Sequence, residues 1–96
     1  MPPICRHLID ICTGHDCWPP RPTAGGSPNV IVNNKLWHRQ TDPWQVHCCG
    51  SNCHSSVLAS GSPTVIVNNL EGGRIGDPVA CGSKVATGSP DTICGP

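Results

Sequence analysis

Ninety-six residues with six basic and six acidic side chains carry no formal net charge and contain no basic run. This argues against nucleic-acid binding by phosphate neutralisation. With no Phe, no Tyr, three Trp and one Met, the chain is also short of core material. At this size such a shortage is made good by metal, disulfides or a partner. Eight Cys and five His point to the first two. No apolar stretch approaches membrane-spanning length. The start MPPICRHLIDIC lacks the basic, apolar and small-residue order of a signal peptide. The expectation is therefore a chain folding in a reducing cytoplasm, where cysteine clusters are more often metal-binding than bridged.

Taken in order, residues 1–24 carry Ile4-Cys5-Arg6, Asp10, the segment Cys12 to Cys17 and the proline-rich Trp18 to Pro22. No helix persists through those prolines. Residues 25–44 read as a hairpin: Gly26-Ser27-Pro28 opens it, Val30-Ile31-Val32 is a β-branched strand, and Asn33-Asn34 turns the chain back. Residues 45–59 read as a connection rich in ligand-type side chains, His47-Cys48-Cys49 to Cys53-His54. Residues 60–80 repeat the hairpin at an offset of 35, with Gly61 to Asn69 matching Gly26 to Asn34 at every position except Thr64. Arg74, Asp77 and Pro78 match Arg39, Asp42 and Pro43. A third opening, Gly88-Ser89-Pro90-Asp91-Thr92-Ile93, has no return half after it. The return half is at the N-terminus, Arg6 to Asp10, with one residue more between Arg and Asp. Three quasi-repeats, one split across the termini, predict an all-β chain of short strands and turns that closes on itself with pseudo-three-fold symmetry. One domain over 1–96 is expected, with a three-fold trimer as its natural partner.

Each inter-repeat connection offers a ligand at a similar distance beyond its Asp: His15 after Asp10, His47 after Asp42, Cys81 after Asp77, with His54 as a fourth. Nitrogen and sulfur ligands suit tetrahedral zinc, and four of them make a closed, structural site. The spacing leaves competing sets open, with Cys12, Cys17, Cys49 and Cys53 among them. Cys12 with Cys17, or Cys48 or Cys49 with Cys53, would form disulfides if oxidised. Cys5 and Cys94 read as small buried hydrophobes. His7 and His38 read as surface residues, and the three Trp as core pieces. Arg39–Asp42 and Arg74–Asp77 read as turn pairs. No catalytic triad or phosphate loop is present.

The three GSP openings, the Arg74 to Gly82 turn (RIGDPVACG) and the Thr13-Gly14-His15 segment resemble the PAAR-repeat family. The resemblance implies a small cone, stabilised by metal, that sharpens the trimeric β-helical spike of a contractile phage tail or type VI secretion system. It implies one zinc near the apex, held by His15, His47, His54 and Cys81. The Pro-Ala-Ala-Arg stretch itself is absent, replaced by Lys35 to Arg39 and Leu70 to Arg74. The looser turn at Arg6 to Asp10 leaves His7 as a substitute ligand for His15.

The reading is a non-enzymatic tip protein of a phage-tail baseplate spike. It would be made in the host cytoplasm, carried at the virion tail tip, and meet the target envelope transiently without stable insertion. A type VI tip that carries effectors is the alternative. A small zinc hydrolase using Asp16, or a disulfide-stapled secreted module, is more remote. Val30, Val32, Val65 and Val67 are candidates for either the spike-facing base or the core.

Overall fold

A computed structural model describes residues 2–94. Among these the chain is all-β, with six strands in three two-stranded antiparallel sheets. β1 (Ile31–Val32) pairs with β2 (Lys35–Leu36), and β5 (Ile66–Val67) with β6 (Leu70–Glu71). Both turns are made by Asn-Asn with positive φ at each residue: 51° and 65° at Asn33-Asn34, 53° and 68° at Asn68-Asn69. That is the backbone a two-residue hairpin loop needs to match the strand twist. β3 (Pro43–Cys49) and β4 (Asn52–Val57) form the longest hairpin, in the stretch read from sequence as a connection. Its two-residue loop is Gly50-Ser51, with Gly50 at φ 62°.

The serine of each GSP opening is buried, and its Oγ accepts two backbone N–H groups beyond the proline. Ser27 takes those of Asn29 and Val30, Ser62 those of Thr64 and Val65, Ser89 those of Asp91 and Thr92. The serine thus does locally what a ladder partner would do.

The repeats close through a ring of backbone hydrogen bonds. Cys5 N–H donates to Gly73 O (2.9 Å), Gly73 N–H to His38 O (2.8 Å), and His38 N–H to Cys5 O (3.0 Å). The next layer repeats the pattern: the N–H groups of Ser27, Ser62 and Ser89 donate to the carbonyls of Trp37, Gly72 and Ile4 at 2.8, 2.9 and 2.8 Å. The termini therefore complete the third repeat. Side chains interlock the repeats in the same sense. Ser27 Oγ donates to Asn68 Oδ1 in the second repeat, and Ser89 Oγ to Asn33 Oδ1 in the first.

Each repeat carries an Arg–Asp clasp in which Asp accepts from both the backbone and the guanidinium of Arg. The Nε–Oδ2 distances are 2.8, 2.8 and 3.1 Å for Arg6–Asp10, Arg39–Asp42 and Arg74–Asp77. The extra residue of the first turn is absorbed locally. Leu8 takes φ 71° there, as Thr41 (70°) and Gly76 (90°) do in the other two turns.

The core has two clusters. One contains Cys5, Cys12, Trp44, Leu58, Val79 and Val85, with Cys81 against it. The other contains Ile4, Val32, Trp37, Val67 and Cys94, with Val30 and Val65 partly buried beside it. Val32 and Val67 are thus core rather than base. The molecule is elongated, 37 × 23 × 23 Å. Trp37 occupies the space that a side chain at Gly72 would need: a Cβ there would lie 2.5 Å from its ring. Its indole N–H donates to Gly73 O at 3.0 Å. The two repeats differ where the difference is complementary.

His38 corrects the surface reading. It is fully buried, edge-on to Trp44, with Nδ1 2.7 Å from Gly25 O and Nε2 without a partner. It occupies the ring position that Cys5 and Gly73 hold in the other repeats, so closure of the ring removes it from water.

Candidate metal centre

His47 and His54 face each other across β3–β4 as a directly paired rung, so their imidazoles leave the same face of the hairpin. His15 lies in a tight loop closed by reciprocal backbone bonds with Trp18 (3.0 and 2.8 Å). Gly14 and Asp16 on either side have positive φ, 71° and 48°. A Cβ at Gly14 would sit 2.5 Å from Trp18 O, so this turn demands glycine. Cys81 sits in a turn closed by Gly82 N–H to Val79 O and Val79 N–H to Ser83 O.

These four residues converge: one ligand atom from each of His15, His47, His54 and Cys81 lies within 4.8 Å of all the others. His15 Nε2 is 3.1 Å and His47 Nε2 2.7 Å from His54 Nε2. A tetrahedral zinc with Zn–N bonds of about 2.0–2.1 Å would hold its nitrogens roughly 3.3 Å apart. Three ring nitrogens meeting at one point, with a thiol beside them, form a group that could hold a metal ion. His47 Nδ1 is 2.8 Å from Pro19 O, which fixes the proton on Nδ1 and leaves Nε2 free to ligate. The residues present therefore fit the ion. His7 is not part of this group.

Sequence reasoning missed the residues that surround the four. Trp18 stacks on His15 (5.0 Å, 23°) and lies 4.9 Å from the His54 ring, its indole N–H donating to Asn52 O at 2.9 Å. It braces the histidines instead of filling the core. Arg21 is buried; its Nη2 lies 3.5 Å from Cys81 Sγ and its Nη1 3.1 Å from the His47 ring nitrogens. Burial works to raise the Cys81 thiol, but the Arg21 and Ser83 hydrogen bonds outweigh it and bring the pKa down to about 5. The thiolate is the form that ligates. An arginine amid prolines offers no spacing signal that would have marked it.

Four cysteines are bridged, Cys17 to Cys49 and Cys48 to Cys53. This corrects the expectation of unbridged clusters; of the pairings left open, Cys48 with Cys53 forms and Cys12 with Cys17 does not. Cys12 is a buried free thiol facing Arg21, and the loop at His15 to Trp18 carries Cys17 to β3 instead. Cys5 and Cys94 are buried and free, as expected.

A closed three-repeat β ring with a nitrogen–sulfur cluster that could hold a metal ion defines a class of small all-β protein. The family model of the PAAR motif matches residues 13–87, more than three quarters of the chain. The chain belongs to the PAAR-motif family, whose members are spike-tip proteins of contractile injection systems. No curated protein matches it.

Proposed function

We propose that this chain is the tip of a contractile machine's central spike, one domain over 1–96, with a single structural zinc held by His15, His47, His54 and Cys81. The observation that carries the reading is the closed pseudo-three-fold ring, with Cys81 of the converging group packed on one core cluster and a matched set of exposed isoleucines directly preceding Val32, Val67 and Cys94 of the other. Ile31, Ile66 and Ile93 occupy the same position in the three repeats and are 56 %, 56 % and 53 % exposed. Three alike apolar contacts suit three identical subunits, so one copy caps one trimeric β-helical spike. The metal cross-link supplies the rigidity that the small core does not. Four protein ligands leave no position for an activated water, which supports a structural rather than a hydrolytic ion. The proposed setting is a phage-tail baseplate spike, with a type VI spike as the alternative.

Elemental analysis tests the metal: one zinc per chain is expected, and Cys81→Ala should lose it and melt at lower temperature. Full zinc retention with unchanged melting would remove the assignment. For the partner, native mass measurement with the cognate spike should give one chain per trimer, and Ile31→Asp with Ile66→Asp should abolish the complex.

A further inference from the structure

Three of the four proposed ligands lie next to a disulfide. His15 is two residues before Cys17, His47 is two before Cys49, and His54 directly follows Cys53. On a strand, a spacing of two keeps side chains on one face, so Cys49 leaves β3 on the His47 side. Its bond to Cys17 therefore draws the His15 loop onto the face that carries His47 and His54. Cys48 and Cys53 form the next rung of the hairpin and point to the opposite face. That rung matters because the ladder is irregular between Trp44 and His47. The register of the His47–His54 pair is therefore not inherited from the Trp44–Ser56 pair. A slip of one residue would send a histidine to the wrong face. The Cys48–Cys53 bond fixes the register from the loop side.

We propose that the two disulfides are positioning elements of the metal centre: they assemble the three histidines before the ion arrives, and so slow its release. The inference rests on the four-ligand reading above. Preorganised ligands bind more tightly because the ordering cost is met in advance. A disulfide that served only as a staple for a small core would raise global stability without regard to the ion.

The test is the rate of zinc release to a saturating chromophoric chelator. It would be measured on the wild type, on the paired variants Cys17→Ser with Cys49→Ser and Cys48→Ser with Cys53→Ser, and on Val67→Ala. The last lies in the core cluster away from the ligands and controls for lost stability. Each serine pair should release zinc at least ten-fold faster than the wild type, and Val67→Ala at the wild-type rate. Serine pairs that release zinc at the wild-type rate would overturn the inference, as would a Val67→Ala protein as leaky as they are. A wild type without zinc would overturn both the inference and the ligand reading, whereas normal zinc content with unchanged release removes the inference alone. If a serine pair does not fold, the wild type is compared before and after reduction by a water-soluble phosphine. That reaction consumes one water per disulfide and yields two thiols and the phosphine oxide. Faster release after reduction supports the inference; unchanged or slower release overturns it.

Discussion

The clearest residue-scale consequence concerns His38. Burial pushes its imidazole down to about 4, despite the Gly25 carbonyl and the Asp42 carboxylate, which favour the charged form. The unfolded chain has the ordinary value near 6.5 and so binds a proton that the folded protein refuses. Stability is complete above pH 6.5, falls as the pH drops from 6.5 to 4, and the loss is fully incurred below about 4. The size of the effect is about 3 kcal/mol. NMR titration of metal-free protein should place the His38 midpoint near 4. His38→Leu should be less stable at pH 7, because Gly25 O loses its donor, yet its denaturant midpoint should change less between pH 7 and 4.5. Gly72 supplies a second residue-scale test. Its Cβ would strike the Trp37 ring, so Gly72→Ala should cost about 1–3 kcal/mol, read from denaturant unfolding.

At the scale of elements, the three Arg–Asp clasps have nearly the same geometry although the first spans one residue more. The side chains are mostly buried, at 10 %/1 %, 13 %/10 % and 14 %/7 % exposure. Removing the carboxylate charge leaves a guanidinium poorly paired. Asp42→Asn and Asp77→Asn should each cost about 1.5–3 kcal/mol, lowering Tm by on the order of 10 °C. Asp10→Asn should cost more, since Asp10 also accepts from Thr87 Oγ1 at 2.9 Å. Calorimetry of the three variants checks both the near-equivalence and the order. The Asn-Asn turns of β1–β2 and β5–β6 were legible because residue type alone dictates positive φ. The β3–β4 hairpin was not, because its ligand-type side chains masked a strand pattern; Gly50-Ser51 between two runs was the signal available.

For the whole molecule, closure of the ring is what makes the termini structural. Ser89 N–H bonds Ile4 O, and Cys94 N–H bonds Pro2 O at 3.0 Å. Deleting residues 88–96 should open the ring and expose the backbone at Ile4, giving a lower Tm and concentration-dependent oligomers in sedimentation. The family match ends at residue 87, so this deletion leaves the matched region whole and tests whether that region suffices. On the proposed reading, the isoleucine set favours one copy per spike trimer, since a homo-trimer of this chain would leave the internal three-fold without use.

By itself the sequence determined the repeat: the match at an offset of 35 is read directly from the residues, and the turn residues and the Arg–Asp spacing act over a few neighbours, where local chemistry needs no knowledge of the fold. It also singled out His15, His47, His54 and Cys81, which the fold brings together, because equivalent places in a closed ring converge. Tertiary structure alone decided that His38 was buried, that Cys17 met Cys49 and what packed against the histidine cluster. His38 is buried by its position in the ring; Cys17 reaches Cys49 across 32 residues; Trp18 and Arg21 pack on histidines from another segment. Each of these depends on the meeting of segments distant in the chain, and such meetings leave no spacing pattern in it.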